Sequence, residues 1–330
     1  MRSADTGARH RARWEQAQMM VSAVVPCYNE AAGVAELTDR LAAALEPWAP
    51  DIEIILVDDG SGDATWQEIG RASDRHKAVR GIRLSANRGH QIALTAGLEV
   101  ARGDRVLMLD ADLQDPPELL PDMMAMMDTG YDVVYGVRLV RHGEGIAKRA
   151  TAHLFYRFLN WLSDVPIPKD TGDFRLVNRR ALDAVLAMPE RSRFVRGMFA
   201  WVGFAQIGLT YERQPRRSGE TKYDLAAMSR LAWDAITGFS SHPLRIAMRM
   251  AVFCGFLSVA LILYVFTTFA SGNTVPGWAS IVTAVSFFSA IQLFVLAVIG
   301  EYLGRIYIEE KARPLYFVSG RVGFAKKPMN

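Results

Sequence analysis

An α/β domain with a mainly parallel sheet, followed by a C-terminal hairpin of two transmembrane helices, is the fold class that the sequence predicts. Three observations predict it. Between Met20 and about Gly136, short apolar runs alternate with helical patterns, the signature of a parallel sheet covered on both faces. Two of those runs end in acid, Asp58-Asp59 and Asp110 with Asp112, and ligands on such sheets bind at the C-terminal ends of strands. In the last third, Met250 to Ala270 and Val275 to Gly300 carry no charge, and a membrane span needs about 20 apolar residues.

Taken in order, VSAVVP (21–26) reads as a strand, and Val34 to Leu45 spaces its apolar residues at helical intervals. IEIILVDDG (52–60) is a buried strand ending in acid, Thr65 to His76 is helical, and GIRLS (81–85) is strand-like. Ile92 to Ala101 is a helix, VLMLD (106–110) another strand ending in acid, Leu119 to Met127 a helix and DVVYG (132–136) a strand. Beyond these, Leu154, Phe155, Phe158, Leu159 and Leu162 share one helical face, and Leu225, Met228, Leu231, Ala232, Ile236 and Phe239 share another. Both segments, about 149–163 and 224–240, suit either packing on the core or an amphipathic helix lying on a bilayer surface.

The charge pattern orients the hairpin. Arg245 and Arg249 precede the first span, and Arg305, Lys311, Arg313, Arg321, Lys326 and Lys327 follow the second. Positive-inside bias puts both flanks in the cytoplasm, with the uncharged linker SGNTVPGW (271–278) outside. Residues 1–20 are polar with four arginines and no apolar h-region, a disordered tail rather than a signal peptide. The organisation expected is therefore a tail over 1–20 and a catalytic domain over 21–240. A hairpin follows over 241–304 (spans about 250–270 and 277–300), then a basic juxtamembrane tail over 305–330. The surplus of apolar residues, 50% of 330, is local to the hairpin, and a net charge of +3 is too small to argue for nucleic acid. Cys27 and Cys254 are isolated in apolar runs and give neither a disulfide framework nor metal spacing.

The strongest chemical signal is VLMLDADLQDPPE (106–118). A strand delivers Asp110 and Asp112 at a sheet edge, and Gln114 adds a neutral oxygen two residues on. Carboxylates with a carbonyl oxygen suit a hard cation, Mg²⁺ or Mn²⁺, which keeps open positions for substrate phosphates. By itself the run also fits a solvated acidic turn before Pro116-Pro117.

The context decides between them. VVPCYNE (24–30), ILVDDGSGD (55–63) and LDADLQDPPE (109–118), in this order and spacing, resemble the family 2 glycosyltransferases of the GT-A (nucleotide-diphospho-sugar transferase) fold. NRGHQIALTAGLEVARGD (87–104), GDFRL (172–176) and RRSGETKY (216–223), followed by two spans, resemble the polyprenyl- or dolichyl-phosphate sugar transferase branch. Within it, the wording is most similar to bacterial bactoprenol glucosyltransferases.

The resemblance implies a set of roles. Pro26, Tyr28 and Glu30 line the nucleotide pocket; Val57 and Asp59 meet the base or ribose, with Asp58 adjacent. Asp110, Ala111 and Asp112 lie along the ribose and diphosphate, and Asp112 with Asp110 and Gln114 holds the metal. Arg138, Arg216 and Lys222 bind phosphate groups, with Lys148 and Arg149 in the same basic set; a solvated basic face is the bland reading of these cations. Asp173 stands where relatives carry a proposed base or acceptor-side acid. It also suits orienting Arg175 or sugar hydroxyls, or a structural salt bridge. The activity implied is inverting transfer of a hexose, from UDP-glucose first, to polyprenyl (undecaprenyl) phosphate for cell-envelope glycan modification. GDP-mannose, a UDP-amino sugar and UDP-galactose are the alternative donors. The implied setting is the bacterial cytoplasmic membrane, with the catalytic domain and both termini inside, a separate flippase for the product, and a homo-oligomer compatible with the sequence. A processive synthase would add a Gln-x-x-Arg-Trp motif and more spans. A transporter would need more than two helices, and a non-catalytic membrane scaffold is the reading from a different class.

Overall fold

The computed structural model describes residues 19–48, 50–139, 171–212, 242–271 and 277–324. The expected disordered tail up to residue 18 and both amphipathic segments lie outside them. The chain divides into two compact units, Met1–Ala150 with Ile167–Tyr223 and Arg313–Asn330, and Thr151–Pro166 with Asp224–Ala312.

Among the described residues the first unit holds one sheet of eight strands: β1 (Val21–Cys27), β2 (Ile52–Asp58), β3 (Val79–Leu84), β4 (Arg105–Met108), β5 (Val133–Arg138), β6 (Thr171–Asn178), β7 (Gln206–Tyr211) and β8 (Val318–Val322). Their order is β7-β5-β6-β4-β1-β2-β3-β8. The central four, β4-β1-β2-β3, are parallel. Their sequences explain why. VSAVVPC is buried along its whole length and IEIILVD nearly so, as strands must be when helices cover both faces. On one face Val21, Ala23, Val25, Ile54 and Leu56 join Leu37, Leu41 and Leu45 of α1 (Val34–Leu45) and Ile69 of α2 (Thr65–Arg75) in the main core. On the other face lies α3 (His90–Val100), with Ala93, Leu94 and Leu98 buried.

Gly97 sets how closely α3 approaches. A Cβ there would stand 2.4 Å from Val24 Cγ1 and 3.0 Å from Val57 Cγ2, so any side chain lifts the helix from β1 and β2. Gly97→Val is expected to cost about 1–3 kcal/mol through overpacking, read as a lower unfolding midpoint. An unchanged midpoint would show that α3 is free to move away.

Strand order reverses at β1, with β2 and β3 on one side and β4 on the other. In open α/β sheets the crevice outside the carboxyl ends at such a point is where ligands bind. Beyond β4 the sheet turns mixed: β6 runs antiparallel between β4 and β5, while β5 and β7 pair in parallel. The short helices α4 (Leu120–Asp128), α5 (Arg179–Leu186) and α6 (Val195–Trp201) complete the unit. At the amino ends of the central strands a buried polar knot closes the sheet. Glu53, fully buried, accepts from Ser22 Oγ at 2.7 Å and from the Arg102 backbone at 2.6 Å, and pairs with Arg80.

β8 revises the expected basic tail over 305–330. Residues 318–322 pair antiparallel with β3, Ile82 opposite Arg321, and close that edge of the sheet. Tyr316 donates to Glu99 at 2.6 Å, and the Ser85 backbone donates to Phe317 O at 2.8 Å. The polar composition of this segment hid a strand that finds its partner far back in the chain.

The second unit holds α7 (His242–Ala270) and α8 (Trp278–Glu310), of 29 and 33 residues. At 1.5 Å per residue they run about 44 and 50 Å, more than the roughly 30 Å of a bilayer core. Both are long and apolar enough to cross a membrane. Phe253, Phe256, Ile262, Phe266, Ile281 and Leu293 stand exposed along them, a surface that water does not favour. The helices overrun the expected spans at their outer ends, from His242 and to Glu310. Arg245 and Arg249 continue the first as helix, and the second carries an i,i+4 pair, Arg305 with Glu301 at 3.1 Å.

Candidate active site

The carboxyl ends of β1, β2 and β4 bring the acidic residues of the sequence to one rim. β4 stops at Met108 and the chain turns through Asp110 and Asp112. Leu113 takes a positive φ of 59°, and Asp112 Oδ1 accepts from the Gln114 backbone at 3.1 Å. β6 then supplies a partner that local pattern does not reveal. It pairs antiparallel with β4, Met108 opposite Arg175. Two residues further along that register, Asp110 stands across from Asp173.

His90, the first residue of α3, bridges the two. Its Nε2 lies 3.0 Å from Asp173 Oδ2 and 3.4 Å from Asp110 Oδ1, and ligand atoms of all three side chains lie within 4.8 Å of one another. Gln91 donates from Nε2 to the same Asp173 oxygen at 2.8 Å, while its Oε1 accepts from the Val195 backbone at the start of α6. Arg196 Nε approaches Asp173 Oδ1 at 3.5 Å. Crowding by neighbouring atoms lowers the affinity of the His90 imidazole for a proton, although the side chain is 42% exposed, but the Asp173 hydrogen bond and the Asp110 charge outweigh it and raise its pKa to about 8. Burial raises the Asp110 carboxyl to about 6, with Asp173, Asp115 and Asp112 adding to the rise. For Asp173 burial pushes the same way, yet the His90 hydrogen bond and the charges of Arg196 and Arg175 hold it well below the usual carboxylate range.

The other predicted residues divide. Tyr28 is 45% exposed at the end of β1, open to a ligand, and the Glu30 backbone donates to Thr65 Oγ1 at 2.9 Å. Pro26 is a buried strand residue, and the fully buried Val57 packs beneath Gly97. Asp58 and Asp59 are likewise buried, holding their own loops. Asp58 Oδ1 accepts from the Ser61 backbone, and its Oδ2 lies 3.2 Å from Arg83 Nε. Asp59 accepts from the Arg88 and Gly89 backbones at 2.7 and 2.9 Å, fixing the turn that launches α3, where Gly89 has a φ of 92°. Both carboxylates thus shape the crevice wall. Ala111 and Gln114 are 8% exposed. Arg138 ends β5; burial works against its charge, but the Asp115 carboxylate and the Tyr211 hydroxyl outweigh it and raise its pKa, with Asp110 adding least. Lys148, Arg149, Arg216 and Lys222 lie outside the described residues. The sequence alone does not single out His90, Gln91 or Arg196. The signal for the first two was their place at the start of a helix that follows a strand and a Gly turn.

The donor chemistry fits a divalent cation. Asp110 Oδ1 is buried and makes no hydrogen bond among the described residues, its nearest charged neighbour being His90 Nε2 at 3.4 Å, and Asp112 follows two positions on. An oxygen set of this kind suits a hard ion.

Comparison with known proteins identifies the family. Residues 22–186 match the model of Glycosyl transferase family 2, and residues 242–306 match that of the GtrB C-terminal hairpin. The "uncharacterized glycosyltransferase YkcC" of Bacillus subtilis is 43% identical, with 93% of this chain and 95% of that one covered. Glycosyltransferase sll0501 of Synechocystis is 41% identical, covering 94% and 98%. The protein named bactoprenol glucosyl transferase of Shigella phage SfV is 36% identical, covering 91% and 98%. A mainly parallel sheet with acids at the strand ends, in a chain matched over more than nine-tenths of its length by such relatives, makes this protein an enzyme of the family 2 glycosyltransferases.

Proposed function

We propose that the enzyme transfers glucose from UDP-glucose to a polyprenyl phosphate, with inversion at the anomeric carbon. One observation carries the reading: Asp110, Asp173 and His90 converge at the strand ends of a chain whose last two helices match the GtrB hairpin. Relatives named bactoprenol glucosyl transferase support glucose and a lipid acceptor, and the sequence resemblance supports UDP.

Asp110, Asp112 and Gln114 would hold the cation, which when bound supplies Lewis-acid stabilisation to the departing diphosphate. Arg138 adds a guanidinium fork suited to phosphate oxygens. Tyr28 offers an exposed ring for the base, against the wall set by Asp58 and Asp59. The acceptor needs little activation, because a phosphate monoester has a second pKa near 6 and is largely ionised at neutral pH. Its oxygen attacks C1 as the C1–O bond to the diphosphate breaks, giving UDP and a β-linked lipid-phosphate sugar with no net proton transfer. Asp173, with one oxygen already taken by His90 and Gln91, is better placed to accept from a sugar hydroxyl than to act as a base. In this reading Lys148, Arg149, Arg216 and Lys222 draw the lipid phosphate in. Catalysis takes place on the cytoplasmic face, and a separate flippase carries the product across.

The test is a donor panel. UDP-glucose, UDP-galactose, UDP-N-acetylglucosamine and GDP-mannose are each supplied with undecaprenyl phosphate and Mg²⁺ or Mn²⁺, and the lipid is weighed by mass spectrometry. A hexose gain from UDP-glucose well ahead of the others is expected. A preference for another donor overturns the sugar assignment, and no lipid product from any of them overturns the acceptor.

A further inference from the structure

A ring of three side chains sits where β5 and β7 end together. Arg138 and Tyr211 are register partners in that parallel pair. The Arg138 Nε donates to Tyr211 Oη at 3.3 Å, its Nη2 donates to Asp115 Oδ2 at 3.4 Å, and Tyr211 Oη donates to Asp115 Oδ1. Two corners are closed and one is open. Asp115 is fully buried and Tyr211 is 5% exposed, whereas the Arg138 side chain is 26% exposed.

Neighbouring residues are cut to fit this ring. The Phe174 ring meets Tyr211 edge-on at 5.5 Å between centroids. A Cβ on Gly136 would lie 2.7 Å from both rings, and one on Gly172 would lie 2.5 Å from Arg138 Nη2. Stability alone is a weak reason for the arrangement, since a buried carboxylate paired with arginine is often no better than well-packed apolar side chains. What it does give is orientation. A guanidinium on a flexible stem is held by two buried groups, and its remaining N–H groups are left for a ligand.

We infer that Asp115 and Tyr211 are positioning residues that fix the Arg138 guanidinium in advance for the donor's diphosphate. The inference rests on the reading that Arg138 meets that diphosphate. A charge that need not reorganise as the leaving group departs is worth more than one that must be ordered at that moment. Neither positioning residue touches substrate. Their contribution is the placing of a third.

The experiment is a double-mutant cycle on the full-length enzyme, with UDP-glucose and undecaprenyl phosphate in detergent. Tyr211→Phe removes one hydroxyl and keeps the ring's packing. It is expected to lower kcat about tenfold, with KM for undecaprenyl phosphate unchanged. In an Arg138→Ala background the same change should cost less than about twofold, because its effect passes through Arg138. Asp115→Asn, which keeps the shape and drops the charge, should behave alike, and thermal melting should show every variant folded. If Tyr211→Phe and Asp115→Asn keep the parent kcat while Arg138→Ala is crippled, the positioning role is wrong and the reading of Arg138 stands. A full tenfold loss persisting without Arg138 would also overturn it, showing a purely structural effect. Parent kcat in Arg138→Ala itself would overturn the phosphate role and the inference with it.

Discussion

Turnover is expected to fall by roughly three orders of magnitude when Asp112 is replaced by alanine, with the unfolding midpoint unchanged. The residue lies two positions beyond Asp110, on a turn outside the sheet, and is only partly buried. Its loss therefore removes little packing. What it removes is half of a carboxylate pair, and stabilising the departing diphosphate is the main demand of the reaction. EDTA should reproduce the effect on the parent enzyme, and added Mg²⁺ or Mn²⁺ should reverse it. Near-normal turnover in Asp112→Ala, or full activity in EDTA, would take the cation out of the mechanism.

The largest loss of stability is expected from a residue far from that rim. Glu53→Ala should cost about 3–5 kcal/mol, read as a lower midpoint of chemical unfolding followed by tryptophan fluorescence. Removing this fully buried carboxylate deprives Ser22 Oγ, the Arg102 backbone N–H and the Arg80 guanidinium of one shared acceptor, and unpaired buried donors are costly. Glu53→Gln, which keeps an oxygen for Ser22, should lose less. Equal midpoints for Glu53→Ala and the parent would mean that water replaces the carboxylate freely.

The first five strands and the helices between them are legible because burial on both faces writes itself as near-continuous apolar runs, as in IILV (54–57) of β2. The apolar spacing predicts helix α3 from Ile92 to Ala101, starting two residues late, and the two residues before that start, His90 and Gln91, both hydrogen-bond Asp173. A polar side chain at a helix start looks like any cap until the opposing strand is placed. In the sequence β6 shows only as the motif GDFRL, since its identity as a strand depends on pairing between β4 and β5. β7 and β8 carry glycine at their centres, which weakens any alternating pattern. Asp115 stood in plain view inside LDADLQDPPE without a role, because its partners come from strands that begin tens of residues later.

Because β8 pairs with β3 across roughly 240 residues of chain, the catalytic sheet is completed last in time as well as last in sequence. At synthesis rates of about 5–20 residues per second, the β3 edge waits on the order of 12–50 s for its cover. Throughout that interval both long apolar helices leave the ribosome first. The nascent enzyme therefore presents an open strand edge, a known template for wrong pairing, until its hairpin has been made.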